Sequence, residues 1–300
     1  MTNTEKFQLA QQAFLNHDYR QAGILATELY MGKKTLRTNR FLFKVLIKEK
    51  RYEDAYNLAS DYLQEYIQNN DWLEEYIETG VWAGKSILIE QLLIQINPYM
   101  KKNEQKKFEK VCALSNYWCE KKEYLKKIER KLRYLGSLSF NEQRVIYQQS
   151  YALSKNNWKK NIGELLENED VHIFLRVTIL DDLRKLKITD ELVFLNIQGL
   201  RNKVVPANFL SLEDTEVYDY YQDYFKTRVE KGDILASTQW DDFKLKLMLL
   251  YPDFKGAKKV LGEYKKWYAL FKDSTHRNDD VSDFVDKLEE NILIWQTLTK

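Results

Sequence analysis

At 300 residues, with 44% hydrophobic and 31% charged residues, the chain carries enough apolar surface for a sizeable core. Its net charge of +2 singles out no class of partner. Only 10 Gly and 3 Pro argue against a sandwich or barrel and for long surface helices, and no apolar run approaches the roughly 18 residues of a membrane span.

The first stretch, Thr4 to Leu63, reads as two copies of one helix-turn-helix unit. A helix through Phe7 ends at Asn16-His17-Asp18, followed by Tyr19 and Ala22. A second through Phe41 ends at Glu49-Lys50-Arg51, followed by Tyr52 and Ala55. Tyr19 and Tyr52 lie 33 residues apart, and a period of about 34 with this pattern is the mark of a tetratricopeptide-type array. The helices are expected at 4–16, 18–31, 37–49 and 52–67. Asn69-Asn70-Asp71 then caps a helix over 71–79, Gly80 turns the chain, and Trp82 to Ile96 returns it before Asn97-Pro98.

Lys102 to Cys119 forms the next helix, and another runs to about Leu135. Asn141 to Ser154 and Trp158 to Leu166 make a further pair. The aromatic marks Tyr19, Tyr52, Trp82, Tyr124 and Trp158 are spaced by 33, 30, 42 and 34 residues, so the middle copies are degenerate. Near residue 168 the character changes. Asp170 caps a helix from Val171 to about Leu186. Glu191 to Gln198 and Lys203 to Val205 flank a turn at 199–202, which reads as one β-hairpin. Helices resume at 213–230, 234–250, 255–272 and 278–298. The expected fold is all-α: a tetratricopeptide-like helical-hairpin array over 1–167, then a mostly helical domain over 168–300 with a β-hairpin near 191–205.

The run VHIFLRVTILDDLRKLKITDELVFLNIQGLRNKVVP, with Val205-Pro206 and the later Tyr251-Pro252, resembles the C-terminal part of uncharacterised tetratricopeptide-repeat proteins of Gram-positive bacteria. The resemblance implies a repeat-type helical fold. It brings no activity and no functional residues.

Motifs for chemistry are weak. Gly80-Val-Trp-Ala-Gly84-Lys85-Ser86 looks like a phosphate-binding loop, but it has three residues between its glycines where that loop has four, and it follows a helix-periodic acidic segment instead of a strand. It reads as a turn between helices. His17, His172 and His276 are scattered, there is no Cys-x-x-Cys, and adjacent acid pairs such as Asp181-Asp182 do not face each other on a helix. Neither metal nor cofactor is expected. Cys112 and Cys119, seven apart on one helix, are separated by about 10.5 Å of rise, too far for a disulfide. Reduced thiols and an N-terminus without a leader pattern point to the cytoplasm.

Charge is blocked. Tyr52 to Gly84 holds eight carboxylates, seven aromatics and no Lys or Arg. Lys101 to Leu135 holds twelve bases against five acids. Such blocks are either solvated faces or the two sides of a divided groove. Arg37, Arg40 and Lys44 share one face of a first-position helix, and Phe7, Gln11 and Phe14 share the comparable face of the preceding unit. These six are the candidate partner-binding residues, set against an ordinary solvated helix face. The leading expectation is a non-catalytic adaptor that binds a protein or peptide, an acidic one by charge, with self-association also open. The alternative is nucleic-acid binding through Lys121, Lys122, Lys126, Lys127 and Arg130, with Tyr117, Trp118, Tyr124 and Tyr134 stacking on bases if exposed. A third, an enzyme with a site assembled from remote residues, has no support in the sequence.

Overall fold

The computed structural model describes residues 2–297, apart from the side chains of Cys119 and His276. The described residues form 17 α-helices and a single two-stranded antiparallel sheet. The all-α class and its one hairpin are thus as the sequence indicates. None of the described helices is long and apolar enough to cross a membrane.

Two compact units divide the chain. One takes residues up to Glu129 together with Gln148–Trp158; the other takes Arg130–Tyr147 and the residues from Lys159 on. This division is discontinuous and differs from one cut at 167. Specific bonds account for it. Ile87 N donates to Tyr151 O (3.0 Å), holding the Gln148–Trp158 segment to the first unit. Tyr147 Oη donates to Asp182 (2.6 Å) and Gln143 Nε2 to Asp170 O (2.8 Å), holding Arg130–Tyr147 to the second.

In the first unit the helices are α1 (Asn3–Leu15), α2 (Tyr19–Gly32), α3 (Leu36–Lys48), α4 (Tyr52–Ser60), α5 (Leu63–Ile67), α6 (Asn70–Trp82), α7 (Ser86–Ile96) and α8 (Lys102–Glu120). Thr2, Asp18, Thr35 and Asn69 cap α1, α2, α3 and α6 with side-chain oxygens, satisfying amides that the first turn leaves open. Three of the links are one turn repeated. His17, Lys50 and Gly84 all adopt positive φ (63°, 60° and 75°). In each, the next residue's amide bonds the carbonyl five residues back: Asp18 to Ala13, Arg51 to Leu46 and Lys85 to Gly80. The spacing of this αL turn is 33 and then 34 residues.

That register corrects the third copy. Gly80 lies inside α6, and the chain turns at Gly84. Trp82 ends a first helix, so it is not the counterpart of Tyr19 and Tyr52; Ser86 holds that place. The expected helix over 52–67 is also broken, at Asp61 and Tyr62. Ser60 Oγ bonds back to Tyr56 O (2.8 Å), which competes with the helical ladder at that point. Gly80 instead serves close packing: a Cβ there would stand 2.6 Å from Ile89 Cδ1 and 3.1 Å from Tyr56.

α9 (Glu123–Arg133), α10 (Phe140–Ser150) and α11 (Lys155–Ile162) contain the unit boundaries. The second unit continues with α12 (Ile173–Lys185), β1 (Leu192–Leu195), β2 (Arg201–Val204), α13 (Glu216–Glu230), α14 (Ala236–Leu250), α15 (Phe254–Leu261), α16 (Trp267–Lys272) and α17 (Asp279–Thr297). The expected helix over 255–272 is two helices, because Gly262 takes φ 69° and ends the first. α12 is buried on most of its surface, from Ile173 to Leu183, and is the axis of this unit's core. The strands pair with Leu192 opposite Val204 and Leu195 opposite Arg201. Asn196 Oδ1 accepts from the Gln198 and Leu200 amides and shapes the hairpin turn. Asp253 Oδ2 accepts from both Asn196 and Asn202 while Oδ1 caps α15 at Gly256 N, so one carboxylate fixes the hairpin to that helix.

Two tests follow from this packing. Gly80→Ala adds helix propensity but meets Ile89, and should destabilise the protein by ~1–3 kcal/mol. In a double-mutant cycle by urea unfolding, Gly80→Ala with Ile89→Ala should cost less than the sum of the single changes; strict additivity would show that the contact does not matter. The second test is of pH. Burial, and then the nearby Arg176 charge, lower the His172 pKa from 6.5 to about 4. The unfolded chain therefore binds this proton first, and stability should fall as pH drops from 6.5 towards 4, by up to about one proton's worth of slope. Carboxylates held low by partners act below their ordinary values, 3.8 for Asp233 beside Arg228 and 4.5 for Glu104 and Glu142, while Glu78, raised by burial, acts in the opposite sense to His172. His172→Asn keeps a capping acceptor without titrating, and should flatten the curve between pH 6.5 and 4.5. An unchanged slope would place the effect elsewhere.

Candidate partner-binding groove

The same turn follows α1, α3 and α6 and aligns their sequences. Counting back six residues from His17, Lys50 and Gly84 gives Gln11, Lys44 and Glu78; counting back three gives Phe14, Ile47 and Val81. The C-terminal ends of α3 and α6, with Phe14 of α1 and Tyr52 of α4, enclose a groove of about 460 Å³. Its apolar residues are Phe14, Ile47, Tyr52 and Trp82. Lys44 and Lys48 stand along α3, and Glu75 and Glu78 along α6.

The apolar wall is preorganised by ring packing. Tyr52 and Trp82 stack with centroids 5.9 Å apart and planes at 28°. Phe14 meets Tyr19 and Phe41 edge-on at 5.4 and 5.9 Å. Lys122 Nζ sits 4.8 Å from the Trp82 ring centroid. The charges differ in availability. Lys44 and Lys48 are exposed, and neither forms an ion pair among the described residues. Glu75 pairs with Arg40. Glu78 has no such cation; partial desolvation and then the Glu74 carboxylate raise its pKa. The groove thus offers cations on one side, a carboxylate short of a counter-ion on the other, and aromatic surface between them.

The six residues singled out from sequence do not form one site. Phe14 and Lys44 line the groove. Phe7, Gln11 and Arg37 border a smaller cleft of about 290 Å³ between α1 and α3, where the Arg37 guanidinium lies 4.3 Å from the Phe7 ring centroid. Arg40 borders neither. It is 8% exposed, paired with Glu75, and flanked by the rings of Phe43, Tyr66 and Trp72 at 4.9–5.3 Å. Desolvation lowers its pKa, and it serves the core of the unit instead of gripping a partner. Ile47, Lys48, Glu75, Glu78 and Trp82 were absent from the sequence-derived set. The turn register, with Gly84 as its third member, is the signal that locates Glu78 and Trp82; Lys48 lies four residues from Lys44 on the same face.

An ion pair, Lys107 with Glu74, joins the two charge blocks, and other bonds hold acids of each block. Lys107 bonds Glu74 at 2.5 Å, Lys85 bonds Glu53 at 3.1 Å, and Asn70 bonds Glu104 at 3.0 Å. Lys85 is thus committed to an ion pair, and Gly80 to Ser86 is a helix end and turn. Of the basic residues proposed for nucleic acid, Lys121, Lys122, Lys126 and Lys127 belong to the first unit and Arg130 to the second. Lys121 lies 4.3 Å from the Tyr117 ring centroid, Lys122 is engaged with Trp82, and Lys126 pairs with Glu123 at 3.4 Å. Lys127 and Arg130 are exposed. Tyr117, Trp118, Tyr124 and Tyr134 are all exposed, at 45–66%.

Catalytic groups do not converge on the groove. Cys112 is a free, buried thiol whose pKa is pushed far up by burial and then by Glu90, the reverse of an activated nucleophile. Cys119 lies outside the described side chains. Among the described residues no cluster of three or more His, Cys, Asp or Glu is placed to hold a metal ion. Comparison with protein-family models, curated proteins and solved structures finds no match for this chain.

Proposed function

We propose that this chain is a non-catalytic, cytoplasmic adaptor whose first unit is a tetratricopeptide-like array of the kind its sequence resembles. It binds a peptide segment of a partner protein in the groove between α3 and α6. The observation that carries this reading is the division of the groove: free Lys44 and Lys48 on one side, Glu78 without a cation on the other, and the Tyr52–Trp82 stack between them. The ligand that complements it is a segment with a large apolar anchor, an acidic group on the α3 side and a basic group on the α6 side. Aromatic burial supplies most of the affinity, and the charges set direction. The free thiol of Cys112 is in keeping with a reducing compartment.

A second reading, nucleic-acid binding, is favoured by the exposure of Tyr117, Trp118 and Tyr124 beside cations of the basic block. The two readings separate by experiment. Peptides selected by display on the full chain should share an apolar anchor between opposite charges. Lys44→Glu with Lys48→Glu should weaken the best of them by about tenfold or more, and Trp82→Ala by about thirtyfold, as for a central aromatic anchor. Titration by fluorescence anisotropy gives both. Affinity unmoved by these changes would remove the groove from the account. Binding of a labelled single-stranded RNA that falls steeply with salt and is lost in Lys121→Glu with Lys127→Glu would move the function to the basic block.

A further inference from the structure

The second unit contains a separate cavity of about 620 Å³, well within the range of small-molecule sites. It is bordered by the start of α10, the first turn of α12, the hairpin turn and one face of α17. Phe140, Leu195 and Ile197 give it apolar walls; Arg176, His172 and Lys287 lie on its lining, as do the acids Glu169 and Asp170.

The polar groups here are incompletely matched. Arg176 is 6% exposed. Its guanidinium donates from Nη1 to Asn168 O (2.7 Å), while its Nε–H is buried and meets no acceptor. Arg176 forms no ion pair among the described residues; Glu169, whose charge acts on it, is bonded to Arg201 at 2.8 Å. A buried guanidinium with no anion is an unfavourable arrangement unless something else supplies one. His172 points the same way. Its Nδ1 accepts from Phe174 N at 3.2 Å, so in the neutral ring the proton resides on Nε2. That Nε2–H is also buried without an acceptor. Two residues lining one cavity each carry a buried donor without an oxygen partner, and one of them is a full positive charge. The first turn of α12, a 13-residue helix, borders the same space and adds its amide dipoles in the same sense.

We propose that this cavity binds a small organic anion, whose carboxylate or phosphate group accepts from Arg176 and from His172 Nε2–H while its apolar part lies against Phe140, Leu195 and Ile197. Nη1 is held by Asn168, which leaves the Nε edge of Arg176 for the anion. Lys287, exposed on α17, adds attraction at the entrance. This site is independent of the peptide groove.

The test uses the full-length protein and two probes, benzoate and phenyl phosphate, titrated by calorimetry at pH 7, with chloride at matched ionic strength as the control. NMR of the histidine side chains, assigned with His172→Asn, follows the contact directly. At least one probe should bind saturably and shift the His172 Nε2 resonance, and preference between the two identifies the anionic group. Arg176→Met should weaken binding by about tenfold or more, the scale of a lost charge-assisted contact. Because that change removes the bond to Asn168 and risks the fold, Lys287→Glu is the second variant; it is on the surface and should weaken binding by about threefold by charge reversal at the rim. Saturable binding of neither probe, or binding that leaves the His172 resonance and the Lys287→Glu affinity unchanged, would overturn the proposal.

Discussion

The architecture of the first unit depends on a single backbone event: a residue in the left-handed region two positions after a first helix ends, with the following amide bonded five residues back. Two of its three occurrences use residues that do not favour this conformation, His17 and Lys50, at a cost of about 1–2 kcal/mol each. Gly84 adopts it freely. What offsets the cost is packing of the helices that the turn returns. Ala22 and Ala55, five residues after the αL position, are completely buried, small enough for the second helix of each pair to approach the first closely. The turn also sets which residues of successive first helices fall in register. Gln11, Lys44 and Glu78 are therefore equivalent positions with different chemistry, and the groove lined by Lys44 and Glu78 runs from cationic to anionic.

Desolvation decides how the charges on these helices are used. Arg37, Arg40 and Lys44 have the same sequence-level claim to a binding face. Arg37 is exposed over one ring, Lys44 is free in the groove, and Arg40 is enclosed by three rings and a carboxylate. A guanidinium tolerates that enclosure because its planar faces stack on aromatics while its edge meets an acid. Tyr66 and Tyr76, two of the seven aromatics in the acidic stretch, are fully buried, and burial raises their pKa values, Tyr66 to about 12. The stretch that looks from sequence like an anionic, aromatic-rich surface is in part the interior of the first unit.

Legibility followed locality. The first two helix pairs, the hairpin and most helix ends were readable because caps, turn residues and apolar period act within a few positions. The hairpin is a case in point: Leu192 to Leu195 and Arg201 to Val204 need only each other and a turn shaped by Asn196. At the third turn the aromatic landmark Trp82 misleads, because the constraint is the φ of Gly84 and Ser86 follows it. The breaks at Asp61–Tyr62 and Gly262 were missed for a related reason: amphipathic pattern continues across both, and the interruption is in the backbone. Arg40 is buried where Lys44 is exposed because residues of one helical face can meet solvent, a neighbouring helix or a second neighbour, and only tertiary packing says which.

Arg40 and Arg176 show why counting buried arginines does not by itself locate ligands. Both are more than nine-tenths buried, both have a lowered pKa dominated by desolvation, and both retain a buried Nε–H without an oxygen acceptor. Arg40 nevertheless has Glu75 as counter-ion and three aromatic faces against its plane, so its charge is answered inside the protein, and it lines neither the groove nor the cleft. Arg176 has one backbone carbonyl, no bonded carboxylate, and a neighbouring imidazole with its own unanswered donor, and both residues line the same cavity. The difference lies in whether the fold completes the electrostatics of the buried group. Where it does, the arginine is part of the core; where it does not and space adjoins, the missing anion defines the chemistry of what the space is for.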